Sequence, residues 1–177
     1  YDMVYSEIYG MNQVSVQDVL HILEKNGVTV EQVIQLPYIR DDVFNYLPVT
    51  EINRDFGCDY QIQEGEFLNL FQYNLKDGYE HNIQPVSTVT ISGDRKMQSV
   101  GTDVKILFNQ NPTFADKTLI INDSDFEKLS ADITGSAGIA NLFQFQNWED
   151  SYAGVCEVKE YLQESNQLNE DEQTYYE

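Results

Sequence analysis

The chain has 177 residues, and its 10 Lys and Arg face 30 Asp and Glu, which gives a formal net charge of −20 at pH 7. Such a surface repels the phosphates of DNA and RNA, and the basic residues are scattered rather than gathered in a patch, so nucleic-acid binding is excluded as the expected function. With 12 Tyr and 9 Phe the chain is too aromatic to be disordered as a whole.

The apolar residues come in short runs, and none approaches the roughly 20 that a membrane span needs. We expect the chain as given to be soluble. It begins at Tyr1 without Met and without a charged stretch followed by an apolar one, so we expect a removed signal or a piece cut from a longer protein. Cys58 and Cys156 are too few for a disulfide scaffold or a Cys-only zinc site; a bridge and two half-buried thiols both stay open.

The first predicted element is an amphipathic helix over residues 15–25. Its apolar residues follow the i, i+3, i+4, i+7 spacing of one helix face, Ser15 is the expected N-cap, and Asn26-Gly27 is the expected stop. A strand over residues 28–36 that ends at Pro37 is expected next. Pro48 and Gly57 bound a further expected strand over residues 49–54.

The middle of the chain favours strands. Residues 86–91 and 100–108 are rich in β-branched side chains and flank the turn signal Ser92-Gly93-Asp94, which predicts a hairpin or neighbouring meander strands. A loop over residues 109–116 and a strand over residues 118–121 follow.

The last predicted element is a helix over residues 148–164 with Asn147 as its cap. Its expected face consists of Trp148, Tyr152, Val155 and Leu162, and Gly154 is expected to weaken it, since an interior glycine costs about 1 kcal/mol relative to alanine.

Together these elements predict an α+β fold: a single soluble domain with a mixed or antiparallel sheet and about three amphipathic helices. We expect it to cover residues 1–165, as one unit or as two subdomains that divide near residue 60. Residues 166–177 carry four acids and no Lys or Arg, and are expected to be an acidic tail or linker toward a membrane: Glu170, Asp171, Glu172 and Glu177.

The stretch "NDSDFEKL" at residues 122–129 clusters carboxylates after an apolar run. Ser124 and Glu127 have the spacing of a capping box, and Asp123 and Asp125 fall in the first helical turn, where the helix dipole favours negative charge. On this basis Asp125→Ala should cost on the order of 0.5 kcal/mol through the dipole and leave any binding intact.

A calcium loop is the alternative for this stretch, because its acids alternate like the first ligands of an EF-hand. The sixth and twelfth positions are Lys128 and Thr134 instead of Gly and Glu, so the capped helix is favoured. The spacing of "INDSDFEKL" also recurs at residues 62–70 as "IQEGEFLNL", which indicates a duplicated strand-to-helix joint and argues against a unique catalytic site.

The residues that usually carry chemistry form no catalytic pattern. His21 and His81 lack metal-binding neighbours in sequence, Cys156 has no histidine near it, and pairs such as Asp41-Asp42 are common in so acidic a chain. The glycines form no phosphate-binding loop, and "GSAG" at residues 135–138 is expected to be a flexible loop. We therefore expect no enzyme, no cofactor and no metal, and the binding residues stay unknown.

The order of elements over about residues 60–164 resembles the extracytoplasmic domain of FtsX-like ABC transporter permeases, the family that includes MacB-type and bacitracin-exporter-type permeases. The resemblance is carried by "IQEGEFLNL", "LIINDSDFEKL", the strand-like "IANLFQF" and the final "QNWEDSYAGVCEVKEYLQE". It implies a non-catalytic domain on the extracytoplasmic side of a bacterial cell membrane. Its implied partners are a cytoplasmic ATPase, reached through transmembrane segments, and an envelope ligand: an antimicrobial peptide, a lipid, a lipoprotein or a partner protein.

The charge of −20 makes a cationic peptide an attractive ligand, although an acidic surface also serves simply to keep an external domain soluble. Two further functions stay open. The chain is expected otherwise to be a free secreted or lipoprotein binding module, or an acidic mimic of nucleic acid that occupies a basic site on another protein.

Overall fold

In the computed structural model the described residues are 2–7, 15–71, 85–91, 94–104, 118–132 and 136–164, with backbone alone for residues 2–7, 136 and 163. The elements in chain order are β1 (Asp2–Glu7), α1 (Val16–Lys25), β2 (Val30–Arg40), β3 (Asn45–Pro48), α2 (Val49–Phe56), β4 (Glu66–Phe71), β5 (Thr88–Ile91), β6 (Arg95–Val104), β7 (Thr118–Ile121), α3 (Asp123–Ala131), β8 (Ser136–Phe145), a 3₁₀ helix (Trp148–Asp150) and α4 (Tyr152–Glu164). Helices are thus combined with a sheet that has both parallel and antiparallel neighbours, which confirms the α+β class.

The chain divides into two compact units, Tyr1–Leu36 with Gly138–Glu177 and the continuous stretch Pro37–Ala137. Position 60 lies inside the second unit. Among the described residues no helix combines the length and apolar character that crossing a membrane requires.

The first unit joins three strands to α1 and α4. Its strand order is β1-β8-β2, and β1 runs antiparallel to β8 with Asp2 opposite Phe143. The buried core of this unit is built from both helices and the strand face that they cover: Val19, Leu23, Val28, Phe143, Val155, Val158 and Leu162.

The second unit has the strand order β2-β3-β7-β4-β6-β5, with the end of β2 at its edge. The pairs β3/β7 and β4/β6 are parallel, whereas β2/β3, β4/β7 and β5/β6 are antiparallel. One buried cluster of this unit consists of Ile39, Tyr46, Phe67, Val89, Ile91, Met97, Leu119, Ile121 and Ala137. Leu47, Ile52, Leu70 and Ile120 are also buried.

The parallel β3/β7 pair determines where the strand-to-helix connections of the second unit lie. Both strands lead at once into a helix, β3 into α2 and β7 into α3. Because the strands are parallel and in register from Asn45 opposite Thr118 to Pro48 opposite Ile121, the two helices begin at the same edge of the sheet.

Several sequence predictions are confirmed. Helix α1 has Ser15 as its N-cap, whose hydroxyl accepts the N–H of Asp18 at 3.2 Å, and the chain turns at Gly27 with φ of +77°. The two predicted neighbouring strands pair antiparallel as β5 and β6, with Ile91 opposite Arg95, and Thr118–Ile121 is a strand. The second of the pair spans residues 95–104 instead of 100–108; Ser92, Gly93 and residues 105–108 lie outside the described residues. The predicted loop 109–116 and tail 166–177 lie outside the described residues.

Other predictions were wrong. Residues 49–54 form α2, not a strand, because Val49 and Ile52 bury one helix face and Gly57 ends the helix in the left-handed conformation. Strand β2 runs through Pro37; its pairing with β3 involves Ile39 and Arg40, so the missing proline N–H is not needed there. Of the predicted flexible loop 135–138, residues 136–138 belong to β8.

The last helix also differs from its prediction. It is interrupted, with the 3₁₀ helix of Trp148–Asp150 followed by α4, and Asn147 caps the first of these. Trp148 and Tyr152 are exposed, and the buried face consists of Val155, Val158 and Leu162. Gly154 faces α1, where an added Cβ would lie 2.9 Å from Cγ2 of Val28 and 3.3 Å from Cδ2 of Leu23. The glycine therefore permits close packing of two helices.

Candidate functional site

The acidic stretch that follows β7 begins with a cap that differs from the predicted one. Asn122 is the N-cap of α3, since its Oδ1 accepts the N–H of Ser124 at 2.9 Å. Its Nδ2 donates to the carbonyl of Ile62 at 3.0 Å. The predicted capping box of Ser124 with Glu127 was wrong, and Glu127 is exposed.

Asp125 is a buried ion-pair partner, with 2% of its surface exposed. Its Oδ1 accepts from Nη2 of Arg95 at 2.9 Å, and its Oδ2 accepts the N–H of Gly65 at 2.8 Å. Gly65 has φ of +79°, a left-handed conformation that favours glycine. The carboxylate thus joins α3 to the turn before β4 and to the first residue of β6, which overturns the prediction that it acts through the helix dipole alone.

Asp123 accepts a hydrogen bond from the neighbouring helix, α2. Its Oδ1 accepts the N–H of Thr50 at 3.1 Å, in the first turn of α2. The N-cap position of α2 is Pro48, whose side chain makes no capping hydrogen bond. Since α2 and α3 begin at the same sheet edge, an acid at the start of one helix satisfies a free N–H of the other.

These contacts weigh against the calcium alternative. The carboxylates of Asp123 and Asp125 already accept protein N–H donors, and one of them is paired with a guanidinium. Within the described ranges no three His, Cys, Asp or Glu side chains are grouped as metal ligands would be. Thr134, the twelfth position of the proposed loop, lies outside those ranges.

The two segments with similar spacing are not a duplicated joint. Residues 62–65 are a turn that leads into β4, whereas residues 122–131 enter a helix, so the prediction of two strand-to-helix joints was wrong. The segments instead face each other. Ile62 bonds to Asn122, Gly65 bonds to Asp125, and Phe67 lies opposite Ile121 in the β4/β7 ladder.

The Asp41-Asp42 pair does not form a catalytic pair. Oδ1 of Asp41 accepts the N–H groups of Val43 at 2.8 Å and Phe44 at 2.7 Å, and its Oδ2 accepts from the Tyr46 hydroxyl at 2.7 Å. Burial, together with this hydrogen bond, raises the pKa of Tyr46 above the usual range of tyrosine. Asp41 therefore holds the β2–β3 turn, and Asp42 is exposed.

A second tyrosine–aspartate contact was missed by sequence reasoning. The hydroxyl of Tyr60 donates to Oδ2 of Asp103 at 2.5 Å, across 43 positions in the chain. Burial, the bond to Asp103 and the nearby Cys58 raise the pKa of Tyr60. Because Tyr60 and Asp103 are far apart in the sequence, no local spacing of residues predicts that they pair.

The remaining candidates lie in different parts of the chain. His21 is exposed on α1, and His81 lies outside the described residues. Cys58 and Cys156 are not joined by a disulfide; Cys58 is half-buried in the second unit and Cys156 is exposed in the first. Asp41, Asp123 and Asp125 share a structural role, since each accepts backbone hydrogen bonds that hold a turn or a helix start.

No model of a known protein family matches the sequence, and neither does any curated protein. A crystal structure described as "Putative Lipoprotein from Bacillus anthracis" has a similar fold, with a TM-score of 0.50 and 10% sequence identity over 82% of this chain and 83% of that chain. At this identity the match shows a shared fold alone.

Proposed function

We propose that this chain is the extracytoplasmic domain of an FtsX-like ABC transporter permease, a non-catalytic module that engages a ligand of the bacterial envelope. The observation that carries the proposal is the order of elements over residues 118–164. A short buried strand enters a helix with two acids in its first turn, an apolar strand follows, and an Asn147-capped turn leads into the final helix. This is part of the order on which the resemblance to that family rests; the further strand-to-helix joint expected at residues 62–70 is a turn that leads into β4.

The roles of the acids support a binding module over an enzyme. Asp41, Asp123 and Asp125 each accept hydrogen bonds from the backbone, and in each case these bonds hold a turn or a helix start. A catalytic carboxylate needs a lone pair directed at substrate, and these three carboxylates are directed at their own fold.

The proposed mechanism is coupling. The family resemblance implies that a cytoplasmic ATPase drives the membrane part, and the external domain passes that motion to an envelope ligand or senses the ligand. A net charge of −20 attracts cationic partners and speeds their encounter by electrostatic steering. A cationic peptide, a lipid or an envelope protein would each serve as that ligand.

The test is the complete gene and its product. We expect transmembrane helices before Tyr1 and after Glu177, a neighbouring ATPase gene, and co-purification of the ATPase with the full-length protein in detergent. A reading frame that ends near Glu177 would reject the proposal. So would purification of the full-length protein without the ATPase, provided that a tagged ATPase is recovered in a control purification.

The fold match favours a second candidate, a free lipoprotein binding module of the envelope, because the similar crystal structure is described as a lipoprotein. This candidate predicts a signal peptide with a lipidated cysteine before Tyr1 and no later span. Incorporation of a labelled fatty acid into the full-length protein, lost when that cysteine is replaced, would favour it over the permease.

A further inference from the structure

Two aromatic side chains stand exposed where α4 begins. Trp148, in the 3₁₀ helix, is 63% exposed, and Tyr152, in the first turn of α4, is 66% exposed. Aromatic side chains of this size are usually buried to a large extent, since they carry much apolar area. An exposed Trp and Tyr four residues apart therefore mark a surface with a use outside the core.

The backbone below these side chains is fixed. Ser151 is fully buried, and its Oγ donates to the carbonyl of Trp148 at 2.6 Å. Asn147 Oδ1 accepts the N–H of Glu149 at 3.3 Å, and its Nδ2 donates to Asp150 at 2.8 Å. These hydrogen bonds fix the backbone of the turn, so the two exposed aromatic side chains are attached to an ordered segment.

The surroundings of the aromatic pair are acidic. Glu149 and Asp150 lie between Trp148 and Tyr152 in the chain, and both are exposed. From position 146 to the end of the chain Lys159 is the only basic residue. Tryptophan and tyrosine faces attract ammonium and guanidinium groups, and adjacent carboxylates add charge-assisted hydrogen bonds. The same charge opposes an anionic membrane surface.

We propose that Trp148, Glu149, Asp150 and Tyr152, here called the aromatic–acidic patch, dock a basic polypeptide segment by holding an Arg or Lys side chain against the rings. This inference rests on the proposed role as a ligand-engaging envelope module. It adds a location and a recognition chemistry to that role. The Arg or Lys supplies the cation, the Glu149 carboxylate supplies charge-assisted hydrogen bonds, and Asp150, which accepts from Asn147, adds negative charge.

Trp148 is the single tryptophan of the chain, so its fluorescence reports on the patch directly. The probe is a peptide of Arg residues spaced by Gly and Ser, free of aromatic residues, titrated into the full chain at about physiological ionic strength, where long-range surface attraction is largely screened. We expect a saturable change in Trp148 emission. Tyr152→Ala should weaken the affinity about 3- to 30-fold, the range that cation–π energies imply, and Glu149→Gln should weaken it several-fold.

Two controls separate the patch from general attraction between a basic peptide and an acidic protein. Val43→Ala changes an apolar residue that is 52% exposed in the other unit, and Asp42→Asn removes an exposed carboxylate beside it. Both variants should bind the peptide as the unchanged chain does. Circular dichroism and thermal midpoints should be equal for all four variants, because the replaced side chains are exposed.

Three results would overturn the inference: no emission change on titration, an equal loss of affinity in Asp42→Asn and Glu149→Gln, or an emission change with phosphatidylcholine vesicles in place of the peptide. The second would indicate diffuse charge attraction, and the third a membrane-surface contact. None of them touches the permease assignment, which depends on the gene and on co-purification of the ATPase.

Discussion

Single side chains hold the second unit together at the edge where its helices begin. Asp125 is the clearest case, because one buried carboxylate joins the guanidinium of Arg95 and the N–H of Gly65. Removing it leaves the partly buried N–H of Gly65 without its acceptor and the guanidinium of Arg95 without its counter-charge. The penalty is therefore larger than the loss of a helix-dipole contact.

We predict that Asp125→Ala lowers the free energy of unfolding by about 2–4 kcal/mol, below the full penalty for a buried pair because Arg95 is partly exposed. Urea unfolding of the two proteins measures the difference. The matched control is Glu127→Ala, an acid on the same helix that is exposed, which should change stability by less than about 0.5 kcal/mol. Equal effects of the two substitutions would show that the ion pair contributes nothing beyond helix electrostatics.

Two tyrosine hydroxyls, one on the buried Tyr46 and one on the half-buried Tyr60, make stability depend on alkaline pH. Burial raises the pKa of Tyr46 and of Tyr60, and Asp41 and Asp103 accept their protons in hydrogen bonds. A group whose pKa is higher in the folded protein binds its proton more tightly there. Its contribution is complete below the unfolded pKa of about 10, and it is lost as pH rises from that value through the folded pKa.

We predict that the urea midpoint falls between about pH 9 and pH 11, across the ordinary tyrosine pKa, and falls less steeply in Tyr60→Phe. The control is Tyr152→Phe, since this exposed hydroxyl should leave the slope unchanged. A Tyr60→Phe slope equal to that of the unchanged chain would mean that the Tyr60–Asp103 contact carries no pH dependence.

At the scale of elements, the sequence predicts those whose determinants are local. Helix α1 was predicted correctly because its cap, its apolar spacing and its stop all lie between Ser15 and Gly27. Helix α2 has local signals as well, with Pro48 before its start, Gly57 after its end and buried residues three apart. A proline and a glycine can equally bound a strand, so these signals alone do not distinguish the two elements.

Other features depend on residues far apart in the chain. The Asp125–Arg95 pair spans 30 positions, and the Asn122–Ile62 and Asp125–Gly65 bonds each span 60. Asp123 accepts the N–H of Thr50, which lies 73 positions earlier in the first turn of α2. The acidic stretch could therefore be assigned from sequence to a helix start, but its partners became known only once the parallel β3/β7 pair had placed the two helices side by side.

The packing of α4 on α1 sets two known effects of glycine against each other. Helix propensity alone says that Gly154→Ala stabilises by about 1 kcal/mol. The added Cβ, however, would lie 2.9 Å from Val28 Cγ2, closer than real Cβ atoms come to other heavy atoms, and 3.3 Å from a second side chain. Overpacking of this kind costs about 1–3 kcal/mol, so steric conflict outweighs propensity.

We predict that Gly154→Ala lowers the free energy of unfolding, with a net loss of about 1–2 kcal/mol. Chemical denaturation measures it, and Val28→Ala in the same chain should recover part of the loss because it removes the methyl group that the new Cβ meets. At the neighbouring exposed position, Ala153→Gly should cost about 1 kcal/mol through propensity alone. Stabilisation by Gly154→Ala would show that the helices move apart at little cost.

At the scale of the whole molecule, the main electrostatic term is repulsion. The described residues contain ion pairs such as Lys25–Glu157 and Arg95–Asp125, and the Lys25 contact, followed by that from Asn26, lowers the pKa of Glu157. With 30 acids and 10 basic residues, however, most carboxylates of the chain have no basic side chain left to pair with. Net charge of this size destabilises the compact state.

This balance predicts that salt stabilises the protein. Raising NaCl from about 0.01 M to about 0.1 M shortens the Debye length from about 30 Å to about 10 Å, which screens distant repulsion more than it weakens close pairs. A gain of about 1 kcal/mol would raise the thermal midpoint by about 2–4 °C for a chain of this size. A midpoint that falls with added salt would instead place the stabilising electrostatics in the close pairs, with the Asp125–Arg95 contact foremost because its carboxylate is buried.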